Sequence, residues 1–314
     1  MTVAAVLVAY TACVGTLGSR LLARAGWTAR APLLAVVLYL TAAWSVVVAL
    51  GLAGLTLAVH ATALGGGLSH LIGACVLRLR ATYATPGGAT VAGLGLTLAG
   101  AVLARTAVTA TTHLRANGRQ ASRHALTARL VGVPEPALGA VLVEHPQPTA
   151  YCVAGRHPTV VLTTGAVQAL DPDQLAAVLA HERAHLAAHH HRLLAMARIG
   201  RQVLPFLPLM RDADAQVTRL VEMHADDVAR RASGPAPLAT ALVALATGSP
   251  APGLAAAAID TVQRIHRLLD PARPLGRGRR HLLRATAAVF VLTPVLLALA
   301  PAMLALALGR VPAA

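Results

Sequence analysis

Four apolar segments stand out in the pattern of hydrophobic and polar positions along the chain. They cover residues 3–18, 32–59, 90–110 and about 285–308. Because about 20 mostly apolar residues suffice to cross the hydrocarbon core of a bilayer, each segment is predicted to be a transmembrane helix. Residues 60–80 are less apolar and contain three consecutive glycines, and we expect a loop or an interfacial helix there.

A polar insert of ordinary domain size lies between the third and fourth apolar segments. It begins with three short runs of β-branched and aromatic residues, at 140–144, 150–154 and 159–165. Turn residues separate these runs. They are therefore predicted to be the strands of a small antiparallel sheet.

A helix is predicted to follow the strands, because several start signals agree. Asp171 suits the N-cap, Pro172 the first helical position and Gln174 the reciprocal position of a capping box. Apolar residues then recur at steps of three and four. We expect this helix to run to about Ile199 and to end at Gly200.

Two further helices are predicted, at residues 214–231 and 261–270. Between the first two helices, residues 202–210 are apolar but contain two prolines, and we expect a buried loop, with a dip into the membrane surface as the alternative. The pattern predicts a mainly α membrane protein with about four transmembrane helices and an inserted α+β domain. The regions are a membrane region at 1–113, the inserted domain at 114–283 and a last transmembrane helix at 284–314.

Charge supports this division. Only 12% of the residues are charged, against about 25% in a typical soluble domain. All twelve acidic residues lie between Glu135 and Asp270. The arginines gather beside the apolar segments, mostly on one side of a four-span arrangement. The positive-inside rule then predicts a multi-pass protein of the cell membrane, with the inserted domain cytoplasmic and both termini outside.

Three other interpretations of the sequence are less favoured. A net charge of +15 is typical of nucleic-acid binding, but the arginines flank apolar runs and aromatics make up only 3%, so we expect a lipid bilayer as partner and no direct nucleic-acid binding. The first segment lacks the basic start of a signal peptide, so we expect it to be retained as a membrane anchor.

Cys13, Cys75 and Cys152 are too far apart to suggest a disulfide framework or a cysteine zinc site, and we interpret them as small apolar residues.

The predicted helix that begins near Pro172 carries the motif HExxH, from His181 to His185. Residues four apart share a helix face, so that two imidazoles can reach one zinc ion. Glu182 between them lies beside the metal, where it can take a proton from water and pass it to a leaving amine. The spacing therefore predicts zinc ligands at His181 and His185 and a catalytic general base at Glu182.

A third ligand is predicted on the next helix. Glu222 and Asp226 are four residues apart and share a face, in a chain where acidic residues are scarce. Glu222 would complete a His/His/Glu site with one open position. Asp226 would accept the free N–H of a ligand histidine. We interpret His189, His190 and His191 as solvated or interface residues, and His224 as no ligand.

With these residues the chain resembles the BlaR/MecR-type membrane zinc metallopeptidases, an antirepressor family of gluzincin proteases, and it is also similar to the HtpX and CAAX prenyl protease family. The segments that carry the resemblance are LAAVLAHERAHLAAHH, EMHADDVA, AYCVAGRHPTVVLTTGAV and VQRIHRLL. The resemblance implies a membrane-embedded zinc endopeptidase that cleaves a protein or peptide, with a transcriptional repressor or a membrane protein as the substrate. Arg264 and His266 are candidates for transition-state support.

The chain departs from the antibiotic-sensing receptors of that type. They carry a penicillin-binding domain after the last span, whereas we expect no such sensor in a chain that ends at Ala314. An HtpX-like quality-control protease is one alternative. A non-catalytic zinc sensor or transporter is another, but the apolar segments have few of the polar ligands that transport requires.

Overall fold

The computed structural model describes residues 2–58, 87–155, 158–247, 254–270 and 273–307. Residues 60–80, for which the sequence predicts a loop or an interfacial helix, lie outside this set. The long apolar helices are α1 (Thr2–Cys13), which continues through a π-helical turn into α2 (Ser19–Ala23), and then α3 (Pro32–Ala58), α4 (Gly88–Val131) and α11 (Arg277–Ala307).

Four helical stretches are long and apolar enough to cross a membrane, which confirms the predicted number for the described residues. They are Thr2–Ala23, Pro32–Ala58, Gly88–Ala128 and Arg277–Pro301. The second of them, α3, is the central one, and its Tyr39, Ala42 and Val46 are almost fully buried. The bundle of long apolar helices is therefore organised around α3.

The close packing of α3 against α4 depends on two glycines. A Cβ atom on Gly54 would come within 2.6 Å of the Gly95 carbonyl oxygen, and one on Gly95 within 2.5 Å of the Gly54 carbonyl oxygen. Real side chains do not tolerate such contacts with a backbone. The two helices thus approach each other as closely as small residues allow, as is common in membrane bundles.

The inserted domain contains one four-stranded sheet in the described residues. Its strands are β1 (Val133–Glu135), β2 (Ala140–Val143), β3 (Ala150–Val153) and β4 (Thr159–Thr163), in the spatial order β1-β2-β4-β3. Strand β1 pairs antiparallel with β2, and β3 pairs antiparallel with β4. The sequence did not indicate β1, which has only three residues.

The prediction of an antiparallel sheet was wrong for one pair. Strands β2 and β4 are parallel, with Val141 opposite Val161 and Leu142 opposite Leu162. The physical reason is burial: four of the five residues of β4 are buried, which suits a central strand, whereas β3 is half exposed and lies at the edge. The chain therefore passes from β2 to the edge before it returns through the middle.

The helices of the domain follow the sheet. They are α5 (Thr164–Ala169), α6 (Pro172–Ala187), α7 (His190–Val203), α8 (Pro208–Ser233), α9 (Pro235–Thr247) and α10 (Leu254–Leu269). The predicted start of α6 is correct, because Asp171 and Gln174 form a reciprocal capping box. The second predicted helix is α8, which starts six residues earlier than expected, at Pro208.

The predicted single helix up to about Ile199 was wrong. Helix α6 ends at Ala187, and His189 adopts a left-handed conformation with φ 51° before α7 begins. Helix α7 then continues through Gly200 to Val203. The break has no glycine or proline at its centre, and the sequence therefore carried none of the usual signals for it.

The inserted domain packs directly on the long apolar helices. The predicted buried loop at 202–210 is confirmed only in part, because residues 204–207 alone form the turn between α7 and α8, with Leu204 and Leu207 buried but Phe206 66% exposed. One apolar cluster joins Leu204 and Leu207 with residues of α8 and α3. Arg105 of α4 donates hydrogen bonds to the carbonyl oxygens of Gln202 and Val203, at the end of α7. Helix α4 is continuous across residue 113, where the sequence places the start of the domain.

Candidate metal centre

Two packed helices bring the candidate ligands together. His181 and His185 lie one turn apart on α6, and Glu222 faces them from α8. One ligand atom from each residue lies within 4.8 Å of the others. The described residues contain no other group of this kind.

The distances between the candidate ligand atoms fit a small metal ion. His181 Nε2 lies 3.1 Å from His185 Nε2 and 3.5 Å from Glu222 Oε2, and His185 Nε2 lies 3.4 Å from Glu222 Oε1. Tetrahedral zinc with ligand bonds of about 2.0–2.1 Å places its ligand atoms about 3.3 Å apart. The donor set and its spacing therefore fit zinc.

Asp226 supports the site from behind His181. Its carboxylate is 1% exposed, and its Oδ1 lies 3.1 Å from His181 Nδ1. Arg264 of α10 holds this carboxylate by two hydrogen bonds, of 2.8 Å from Nε and 2.7 Å from Nη2. The Nη1 atom of Arg264 is 3.3 Å from Glu222 Oε2. Arg264 thus binds both Asp226 and Glu222 of α8.

Arg264 and His266 are the two residues that the sequence analysis predicts as candidates for transition-state support. The structure brings Arg264 to the site, but its guanidinium faces the carboxylates of Asp226 and Glu222. His266, two residues further along α10, is exposed. A role of either residue in the transition state stays a prediction.

Electrostatics set the protonation of the ligand group. Burial would lower the pKa of His181, but the carboxylates of Asp226 and Glu222 outweigh it and raise the pKa to about 9. Burial lowers the pKa of His185 to about 4. Burial would raise the pKa of Asp226, yet Arg264 and His181 hold that pKa at about 2. The carboxylates are therefore ionised and able to act as ligands or acceptors.

Glu182 on α6 lies near Cys152 of the edge strand β3. Burial raises the pKa of the Glu182 carboxyl, while His181 and hydrogen bonds from the thiol and the backbone of Cys152 act in the opposite direction. Burial and the neighbouring Glu182 raise the pKa of the Cys152 thiol to about 12. Cys152 is thus a neutral donor beside the candidate base, a contact that the sequence did not reveal.

The interpretation of His190 as a solvated or interface residue was wrong. His190 is 1% exposed. Its Nδ1 lies 2.9 Å from Nδ1 of His185, and its Nε2 lies 3.0 Å from Nδ1 of His224. The break after α6 turns His190 inward, whereas His189 and His191 on either side of it are exposed as expected.

A groove of about 1030 Å³ opens beside the ligand group. One wall is the second half of α4, with Asn117 and Gln120, and the other is β3, with Tyr151. His185 and His190 line it, together with Arg198 of α7. The groove therefore leads along β3, an edge strand of the sheet that the described residues form, to the candidate metal ligands.

Comparison with known proteins agrees with this geometry. The model of Peptidase family M48 matches residues 113–272, just over half of the 314 residues. The matched segment contains the ligand group, β3 and the groove. No solved structure matches the chain.

Proposed function

The chain belongs to peptidase family M48, and from this premise we propose that it is a membrane-embedded zinc endopeptidase. His181, His185 and Glu222 would hold the zinc ion, because their atoms have the spacing that tetrahedral zinc requires. That spacing is the observation that carries the proposal. Zinc bound there would act as a Lewis acid and make hydroxide available near neutral pH.

Glu182 is the proposed general base and, later, the general acid. It adjoins the ligand His181 in the chain, and burial raises the pKa of its carboxyl towards the range in which it can both take and return a proton. It would accept a proton from water and deliver it to the amine that leaves. Cys152, near it on β3, would orient this carboxylate by donating to it.

The substrate is proposed to be an extended segment of a protein or peptide. Strand β3 lies at the edge of the sheet, and Tyr151 on it is 37% exposed to the groove side of the domain. An extended chain can add to such an edge through main-chain hydrogen bonds. It would then run past His185 and Glu182, where the peptide bond is cleaved.

We propose that the catalytic domain, at 114–283, faces the cytoplasm between the membrane regions 1–113 and 284–314. Two contacts support the placement of the domain and of the arginine-rich segment around α2 on the same side of the membrane. Ser19 donates a hydrogen bond to Asp212, and Arg267 donates to the Ala29 carbonyl oxygen. On the cytoplasmic side the enzyme could act in regulatory proteolysis, on a repressor or a membrane protein.

Replacement of the base tests the mechanism. We expect Glu182→Gln to retain one zinc ion per chain and to lose cleavage of an unfolded protein such as casein by about 10²–10⁴-fold, the usual contribution of general acid–base catalysis. Glu144→Gln is a matched control, because Glu144 is exposed and outside the site. Undiminished cleavage by Glu182→Gln would exclude this mechanism.

A further inference from the structure

Three histidines form a chain of contacts that starts at the ligand group and that the proposed mechanism leaves unused. His185 on α6 meets His190 at the start of α7, with 2.9 Å between their Nδ1 atoms. His190 in turn meets His224 on α8, with 3.0 Å between Nε2 and Nδ1. Each of the first two imidazoles thus has a hydrogen-bond partner on another helix.

The direction of each hydrogen bond follows from the ligand role of His185. Its Nε2 faces His181 and Glu222 and must keep its lone pair free for the metal, so its proton lies on Nδ1. A neutral imidazole has one donor and one acceptor. His190 therefore accepts at Nδ1, carries its own proton on Nε2 and donates to His224 Nδ1.

We propose that His190 is a positioning residue, which fixes the tautomer and the ring orientation of His185, and that His224 does the same for His190. The inference rests on the proposed zinc site. It gives the two ligand imidazoles different supports, because His181 is backed by the carboxylate of Asp226 and His185 by a neutral imidazole. The neutral acceptor orients its ligand without adding a second negative charge behind the metal.

If His190 only filled space, a ring of similar size in its place would preserve zinc binding. The ring centroid of His190 lies 4.7 Å from that of His185 and 5.1 Å from that of His224, and the rings pack edge to face. Phenylalanine could keep this packing but offers no acceptor. Asparagine is smaller, yet its Oδ1 can take the place of the Nδ1 acceptor. The two variants therefore separate packing from hydrogen bonding.

The test measures zinc affinity of the full-length, detergent-solubilised protein by competition with a chromophoric chelator. We expect His190→Phe to bind zinc about 10–100-fold more weakly, the usual cost of losing a partner of a ligand histidine. His190→Asn should recover part of that affinity. His224→Phe should lose less, since it acts one step further away. His191→Phe is the matched control, because His191 is exposed on the same helix.

The outcomes separate this inference from the proposed function. If His190→Phe binds zinc as tightly as the wild type, the inference is overturned and the peptidase proposal stands. The same conclusion follows if His190→Phe and His190→Asn lose zinc affinity equally. If His190→Phe does not fold, His190→Asn is compared with His190→Gln, whose Oε1 takes the place of Nε2 rather than of the Nδ1 acceptor. Tighter zinc binding by His190→Asn than by His190→Gln supports the inference. Equal or weaker binding by His190→Asn overturns it. A wild-type protein that binds no zinc contradicts the proposed function itself.

Discussion

Asp226 illustrates how much of the site rests on one buried side chain. It faces His181 and accepts both hydrogen bonds from Arg264, and burial leaves it almost no access to water. Helical spacing predicted that His181 and His185 share one face and that Glu222 and Asp226 share another, and the structure brings these two faces together. The partner of Asp226 lies 38 residues away on α10, and no spacing rule connects two separate helices.

Removal of Asp226 should therefore weaken both metal binding and folding. We expect Asp226→Ala to bind zinc about 10–100-fold more weakly and to lose about 3–5 kcal/mol of the free energy of unfolding, because the buried guanidinium of Arg264 loses its ion pair and both hydrogen bonds with Asp226. Denaturation of the metal-free protein measures the second effect. Arg201→Ala is the comparison, since Arg201 pairs with Asp214 while its side chain is 57% exposed. It should cost at most about 1 kcal/mol, and equal losses in the two variants would contradict this account.

At the scale of elements, the break between α6 and α7 decides which histidines reach the site. On a continuous helix His190 would lie about 140° around the axis from His185, since successive residues turn by about 100°. The left-handed residue His189 redirects the chain and brings His190 back to His185. Periodicity could not predict this, because it assumes an unbroken helix. The parallel pair of β2 and β4 was missed for a related reason: adjacency in sequence favoured a hairpin.

Substitution of His189 tests the break. Its φ of 51° lies in the left-handed region, which is open to glycine and costs other residues about 1–2 kcal/mol. We expect His189→Gly to leave the melting temperature unchanged or to raise it, and His189→Val to lower it, because β-branched residues fit this region poorly. His191→Val, at an ordinary helical position nearby, is the control. A melting temperature as high in His189→Val as in His189→Gly would argue against a strained junction.

At the scale of the whole molecule, hydropathy predicted the four apolar helices but not which helix of the inserted domain packs against them. Leu209, Val217 and Leu220 of α8 are buried in the same cluster as Tyr39 and Val46 of α3. In the sequence, these α8 residues have the pattern of any amphipathic helix. The pattern shows that a face is buried and cannot show which surface covers it.

The proposed orientation is tested on the intact protein. With four membrane crossings and the domain inside, reporters fused to the N-terminus and to the C-terminus should both be active outside the cytoplasm. A reporter inserted in the exposed loop near His145 should be active only inside. The physical reason is the retention of arginine-rich loops on the cytoplasmic side. A C-terminal reporter active in the cytoplasm would be incompatible with the four-span arrangement.

Helix α4 is a single helix of 44 residues, which at a rise of 1.5 Å per residue is about 66 Å long. In the proposed membrane arrangement the hydrocarbon core of a bilayer would take up about 30 Å of it, and the second half of the helix forms a wall of the groove. Such a rod works as a lever. A tilt of about 5° around its middle moves its end by about 3 Å, the length of one hydrogen bond. In that proposed arrangement, the width of the groove open to an extended chain would depend on how the surrounding lipid holds the other half of the helix.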